Sequence, residues 1–290
     1  DGSLITEMKV GEIVDPYPPD NQVKSIDVSP DGRYISAGGD FNYISIFDGD
    51  NYELIKNIGG LQKPNVSAMT SDGTRLITIE ISATSPPNVK SYVKIWSIES
   101  GELIDEFISG ENTRFLAVSP SGNYFAYAQS TKPWKVTVRD QQTYEIVAEY
   151  NIDLEGDKAS IDGLHISNSG EYVIVYTSTK IFIYNVNTHE IGIKEFQNGF
   201  DFTSSITLKQ DDKKILISRV NIDYGYTDFM IFPEMELIKR DTTFFGRKIR
   251  INSEDNRILG GDLNKIYYYE LDWSAESAEQ SININEIKIF

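Results

Sequence analysis

His165, His189 and a large stock of carboxylates are the groups with which this chain could do acid–base chemistry. A Ser-His-Asp triad needs an imidazole between a nucleophile and an orienting acid, so one of these two histidines would have to supply it. His165 lies in the alternating run Leu164-His165-Ile166, a strand pattern in which packing is the ordinary role. His189 lies in Asn187-Thr188-His189-Glu190, a hairpin sequence. No G-x-S-x-G elbow, phosphate loop or H-E-x-x-H helix accompanies them. Cysteine is absent, which removes thiol nucleophiles, disulfides and zinc–thiolate centres, and two histidines cannot build a three-histidine metal site. Calcium has two candidate loops, Asp48-Gly49-Asp50-Asn51 and residues 153–157 (DLEGD). Neither continues into the twelve-residue EF-hand pattern with its closing Glu, and the first falls where Asp, Gly and Asn suit a hairpin turn. With 44 acidic residues in the chain, two neighbouring carboxylates say nothing about glycoside hydrolysis. The expectation is a chain without catalytic residues, metal or cofactor. Asn65-Val66-Ser67 is a single glycosylation sequon, a number chance alone supplies.

Recognition by contact needs different residue types. Tyr, Trp and Arg bury much area with few rotatable bonds and dominate binding hot spots. The candidates are Trp134 with Lys135, Tyr224 with Tyr226, Tyr92, Tyr17 and Arg247. Each stands in or beside a stretch rich in Pro, Gly and polar residues: 82–91, 131–135, 221–228, 16–19 and 244–247.

The elements that must position them recur along the chain. Val23–Gly60 contains four short runs rich in Ile, Val, Tyr and Phe, separated by turn residues. The turn pair after the first run recurs at Asp31-Gly32, Asp72-Gly73, Ser121-Gly122 and Ser169-Gly170, with degenerate versions at Asp211-Asp212 and Glu254-Asp255. The successive spacings are 41, 49, 48, 42 and 43 residues. A second marker, the aromatic closing the third run, falls at Phe47, Trp96, Tyr184, Phe232 and Tyr269, with Arg139 in the third repeat. Two markers keeping one phase describe a repeat whose unit is a small antiparallel sheet. Such a unit is too small to bury its own apolar faces and must stack on its neighbours.

The stretches VSPDGRYISAGGD, YISIFDGDNYELI and YVKIWSIESGELIDEFISG resemble the WD40 and related bacterial β-propeller repeats, over about Val23 to Trp273. The Gly-His pair of eukaryotic WD40 repeats is missing, and the Trp-Asp signature survives only as Phe47-Asp48, Trp96-Ser97 and Arg139-Asp140. The resemblance implies an all-β propeller of four-stranded antiparallel blades, six favoured over seven, spanning residues 1–273. The opening stretch Gly2–Val10 is similar to the fourth run Gly101–Ser109, so residues 3–10 are expected as the outer strand that closes the last blade. In that architecture the loops carrying the aromatic candidates emerge on one face of the disc. Residues 274–280 (SAESAEQ) read as a polar linker. The terminal run Ile282–Phe290 resembles the opening strand of the C-terminal sorting domain of type IX secretion cargo, without its Pro-Asn-Pro turn. An extra edge strand on the final blade is the alternative.

The whole-chain numbers bound the partners. Lys+Arg total 27 against 44 Asp+Glu, a formal charge of −17 over 290 residues. No basic stripe exists to track phosphates, and no apolar run reaches the ~18 residues of a membrane-spanning helix. The expected function is a non-catalytic interaction or scaffold module that docks a protein partner with a basic surface, or a glycan, through the loop-bearing aromatic face. The alternatives are a carbohydrate-active or calcium-dependent propeller enzyme and a structural subunit of an extracellular assembly. Residue 1 is Asp, which fits a removed signal peptide as well as a trimmed chain, so secretion or cell-surface display is expected, with the cytoplasm as the alternative.

Overall fold

Each Asp-Gly or Ser-Gly pair turns the chain between two strands by one hydrogen-bond scheme. In the first repeat the Gly32 N–H donates to Ser29 O (2.8 Å) and the Ser29 N–H to Tyr34 O (2.9 Å). The Ser29 hydroxyl also accepts the Tyr34 N–H at 2.9 Å. Gly32 has a φ of 74°, the left-handed region that glycine enters without steric cost. The two backbone bonds recur around Thr70 and Gly73, Ser119 and Gly122, Ser167 and Gly170, and Lys209 and Asp212. Asp212 takes the left-handed position itself, at φ 55°. The expected Glu254-Asp255 turn lies outside the described residues.

The computed structural model describes residues 8, 10, 23–39, 42–59, 66–81, 90–154, 160–196, 202–220, 225–242, 248–251, 257–262, 265–270 and 284–287. Among them are 24 strands and no helix. The chain divides into two compact units, Leu4–Ser160 and Ile161–Phe290, the latter with Asp1–Ser3.

The first unit holds three four-stranded antiparallel sheets, each in sequence order. They are β1 (Val23–Val28), β2 (Tyr34–Gly39), β3 (Tyr43–Asp48) and β4 (Leu54–Gly59); then β5 (Val66–Met69), β6 (Arg75–Ile81), β7 (Ser91–Ser97) and β8 (Leu103–Gly110); then β9 (Thr113–Val118), β10 (Tyr124–Gln129), β11 (Lys135–Asp140) and β12 (Ile146–Asn151). Their middle strands are buried on both faces because sheet packs on sheet. Ile44, Ile46 and Ile58 of the first meet Leu76 and Trp96 of the second. The opposite face of the second, with Ile77, Ile79, Val93 and Ile95, meets Phe125 and Tyr127 of the third. First strands are also tied across sheets: the Ser67 N–H donates to Ser25 Oγ (3.2 Å) and the Met69 N–H to Asp27 Oδ2 (2.7 Å).

The second unit repeats the plan. Its sheets are β13 (Gly163–Ile166), β14 (Tyr172–Tyr176), β15 (Lys180–Asn185) and β16 (Ile191–Glu195); β17 (Phe202–Leu208), β18 (Lys214–Val220), β19 (Gly225–Ile231) and β20 (Glu236–Asp241); and β21 (Lys248–Ile251), β22 (Arg257–Asp262), β23 (Lys265–Glu270) and β24 (Ile284–Ile287). Ile174, Ile181 and Ile183 pack against Ile206, Ile215 and Ile217. The Ile249 N–H donates to Ser205 Oγ at 3.1 Å, the counterpart of the Ser67–Ser25 tie.

Three expectations are corrected by this topology. The outer place in the last sheet is filled from the C-terminal end, with β24 antiparallel to β23 in the register Ile266↔Ile287 to Tyr269↔Ile284. Of residues 3–10, Met8 and Val10 are in no strand and the others lie outside the described residues. The sheet region therefore extends beyond residue 273, with 284–287 as the edge strand of the last sheet. The third correction concerns the aromatic marker of the fifth repeat. Phe47, Trp96, Arg139 and Tyr184 stand opposite Ile35, Leu76, Phe125 and Val173, and the equivalent partner of Ile215 is Met230. Phe232 falls two residues later, in the turn, where its N–H donates to Lys213 O at 2.9 Å and its ring meets Tyr172 edge-on at 5.1 Å.

Candidate functional site

A groove of about 450 Å³ opens where the first two sheets meet at their turn ends. The β1–β2 turn brings Arg33 and Tyr34 to it, the β5–β6 turn Arg75, and the β7–β8 turn Ile98 and Glu99, while Ile104 enters from the edge strand β8. Ile98 and Tyr34 form the floor, packed on the core the two sheets share. The rim is open: the Arg33 side chain is 59% exposed and Ile104 49% exposed.

Arg33 is held by the turn that carries it, and Arg75 by the β11–β12 turn of the third sheet. Arg33 donates from Nε to Asp31 Oδ2 at 2.5 Å, and its guanidinium lies 5.5 Å from the Tyr34 ring centroid. The Ser29 hydroxyl, then the Arg33 backbone N–H and guanidinium, donate to Asp31 and hold its carboxyl down at about 2. The Arg33 anchor therefore stays charged at any ordinary pH. Arg75 donates from Nη1 to Gln141 O at 3.1 Å and sits 5.5 Å from the Tyr144 ring centroid. Lys56 from β4 donates to Glu99 O. A guanidinium has five N–H donors, so each arginine keeps donors beyond these anchors.

The residues expected to bind a partner are placed differently. Trp134 is 7% exposed, with Lys132 Nζ 5.0 Å from its ring centroid and its carbonyl accepting the Ile152 N–H at 2.8 Å. Tyr226 is 9% exposed in β19, under the Arg240 guanidinium at 3.9 Å. Arg240 is in turn bidentate to the buried Asp228, at 2.6 and 2.9 Å. These two aromatics pack into the sheets, so the expectation that they present contact area is corrected. A polar neighbour in sequence does not expose a side chain whose backbone already follows the strand. Lys135 is partly exposed and paired to Glu149 Oε1 at 2.5 Å. Tyr92 is half-buried within β7, opposite Glu80 and Ile108. Tyr17, Tyr224 and Arg247 lie outside the described residues.

The chemistry-bearing residues resolve into structural roles. Asp48 Oδ1 accepts the N–H groups of Asp50 (2.9 Å) and Asn51 (3.0 Å), an Asx turn. Among the described residues no group of three or more His, Asp or Glu could hold a metal; residues 155–157 and Asn65 lie outside them. His189 occupies the left-handed position of the β15–β16 turn at φ 60°, as Tyr52, Tyr144 and Met235 do in theirs. His165 is half-buried in β13, where desolvation first, and then the Arg250 charge, push its imidazole down to about 4 against a smaller opposing pull from Asp212. It is neutral at pH 7.

The groove was missed because it is built from turn residues of three separate hairpins. The sequence did show the two cations, Arg33 directly after the first Asp-Gly pair and Arg75 two residues after the second, but they stand at non-equivalent positions of the repeat.

No family model matches the chain. A stretch of 131 residues, 39% of this chain, is 28% identical to Actin-interacting protein 1 of Drosophila melanogaster. It covers 20% of that protein, so the chain spans about a fifth of the length of the curated relative it matches. That relative is a WD40 propeller protein. Its likeness and the repeated four-stranded sheets agree: this is an all-β chain consistent with a WD40-like propeller.

Proposed function

We propose that the six sheets are blades of a WD40-like propeller and that the chain is a non-catalytic module for docking a protein partner. The observation that carries this reading is the repeat itself, one four-stranded sheet built over and over with the same two turns, in a chain similar to a protein named for its interaction with actin. Sheets stacked this way offer rigid ends on which turn residues are held at fixed spacing, which suits recognition by shape more than it suits chemistry. The two histidines support the same side of the argument, since one is held neutral in a strand and the other sets a turn.

Direct binding is the test. The purified chain is titrated against filamentous actin by co-sedimentation, and against proteins cross-linked to it in its native cells. Saturable binding to one of these is expected. A chain that binds none of them and instead releases product from a panel of glycosides would overturn the reading.

A further inference from the structure

We infer that β16, the edge strand of the sheet β13–β16, pairs antiparallel with β16 of a second copy of the chain about a two-fold axis at Gly192. This self-pairing goes beyond the protein-docking reading above and is independent of it.

An edge strand turns a row of backbone N–H and C=O groups outward, and a β-bulge is one device that keeps such a row from pairing with another chain. The edge strands β4, β8, β12 and β20 each carry a register shift against the third strand of their sheet, at Ile46/Phe47, Ile95/Trp96, Val138/Arg139 and Phe229/Met230. β16 runs along β15 without one, from Tyr184↔Ile191 to Lys180↔Glu195. The Asn185 N–H donates to Glu190 O at 3.0 Å and the Phe196 N–H to Thr179 O at 2.9 Å. By the alternation of an antiparallel ladder, Gly192 and Lys194 also turn their backbone groups to β15, and Ile191, Ile193 and Glu195 turn theirs outward. The same stretch exposes two aliphatic side chains, Ile191 at 55% and Ile193 at 57%.

This edge is its own complement. Laid antiparallel on a copy of itself about Gly192, it sets Ile191 opposite Ile193 of the copy and Glu190 opposite Lys194 of the copy, each twice by symmetry. Outward-turned residues then meet outward-turned residues, so the new ladder closes its hydrogen bonds, and four isoleucines cover one another on one face. On the other face Lys194 spends one of its three N–H donors on Met235 O at 3.1 Å and keeps two for the Glu190 carboxylate. An axis at Ile193 would instead lay Glu195 on Ile191 and lose both ion pairs. Gly192 suits the chosen axis. Glycine weakens a strand and marks places where another backbone comes close. A Cβ at Gly192 would meet nothing nearer than 3.8 Å within the chain, so internal packing does not ask for glycine there. Across the axis the two glycines would form a non-hydrogen-bonded pair, with Cα atoms ~4.5 Å apart.

The test is sedimentation equilibrium of the full chain at physiological salt. The range is about 5 to 500 μM, because a five-residue edge is small against the ~1,200 Å² of a stable interface and implies weak association. The average mass should climb reversibly from 32.8 kDa toward twice that value. Ile193→Pro removes an outward N–H without touching the ladder to β15, and Ile193→Lys sets a charge on the edge. Each should weaken association by about tenfold or more, the Lys variant with an unchanged melting curve. Glu190→Lys should weaken it by about fivefold, and adding Lys194→Glu should restore it. A chain monomeric at every concentration overturns the self-pairing, as does a dimer that keeps its strength in both Ile193 variants. A charge reversal that is not felt, or not rescued by the second reversal, overturns the axis at Gly192. If the chain stays monomeric while a bound protein partner is lost with Ile193→Pro, the edge belongs to that partner and the second copy is overturned.

Discussion

Trp134 shows how a residue type can be read correctly and its role missed. The indole stands next to polar residues in sequence, but it is 7% exposed and its carbonyl closes a backbone hydrogen bond to Ile152. Removing it takes a large side chain out of a packed site, so Trp134→Ala should cost about 3–5 kcal/mol of stability in denaturant unfolding. Its effect on partner binding at a temperature where the variant is folded should be small. Binding lost with stability intact would restore the indole as a contact residue. His165 carries a second residue-scale expectation. Its imidazole is pushed from the ordinary 6.5 to about 4, so between those pH values the unfolded chain takes up a proton that the folded chain refuses. Stability contributed by the neutral ring is complete above about pH 6.5 and is lost as pH falls toward 4, by on the order of 1–3 kcal/mol. The carboxylates that titrate lower in the range contribute little above pH 5, so a window from pH 5 to 7 isolates the ring. There the wild-type chain should lose stability on acidification while His165→Gln stays flatter, and equal slopes would show that the histidine is indifferent to folding.

At the scale of elements the turns were legible and the strand ends were not. Asp-Gly and Ser-Gly pairs marked the first turn of four repeats because a left-handed residue is needed there. The third-to-fourth turn needs one as well; Gly101 fills it in the second repeat, but Tyr52, Tyr144, His189 and Met235 fill it elsewhere, and of these only His is a type that favours positive φ. Side-chain oxygens of Asp48, Asp140 and Asn185 hold the turns of Tyr52, Tyr144 and His189 by accepting N–H groups two or three residues on, which offsets part of the strain. The aromatic marker also blurred, since a ring can be replaced by whatever fills its place. Arg139 does so by laying its guanidinium 3.9 Å from the Phe107 ring centroid and donating to Tyr127 Oη at 3.1 Å, and Met230 does so as a plain apolar side chain. The first-turn hydroxyl is the element's most testable part. Ser167 Oγ accepts the Tyr172 N–H at 3.0 Å and is fully buried. Ser167→Ala removes that acceptor and should lower stability by about 1–2 kcal/mol in urea unfolding, whereas Ser167→Thr, the type found at Thr70, should recover most of it. Equal stabilities for all three chains would mean that the turn is set by its backbone alone.

For the whole molecule, the period of the repeat was available from sequence because both turn chemistry and apolar runs obey it, and the sheets follow that period in both compact units. The place of the chain ends was not available, because GSLITEMKV and ININEIKIF have equally good strand patterns and pairing is decided by tertiary register rather than by propensity. Charge is the other property that belongs to the entire chain. At −17 the carboxylates repel one another over distances that pairwise contacts do not reach, and that repulsion is relieved when the chain expands. The close pairs behave oppositely. Arg240 to Asp228 is 2.6 Å with Asp228 almost wholly buried, and Lys94 to Glu80 is 3.0 Å with both partners largely covered. Salt screens interactions beyond a Debye length, which falls from about 30 Å at 0.01 M to about 8 Å at 0.15 M, and it barely touches buried contacts at hydrogen-bond distance. Raising sodium chloride across that range should therefore remove more repulsion than attraction, and the thermal midpoint should rise. A falling midpoint would show that attractive pairs outweigh the net charge. If the midpoint does rise, replacing Asp228 by Asn should leave the slope with salt almost unchanged while lowering the whole curve, because that substitution breaks a buried pair and alters the total charge by only one.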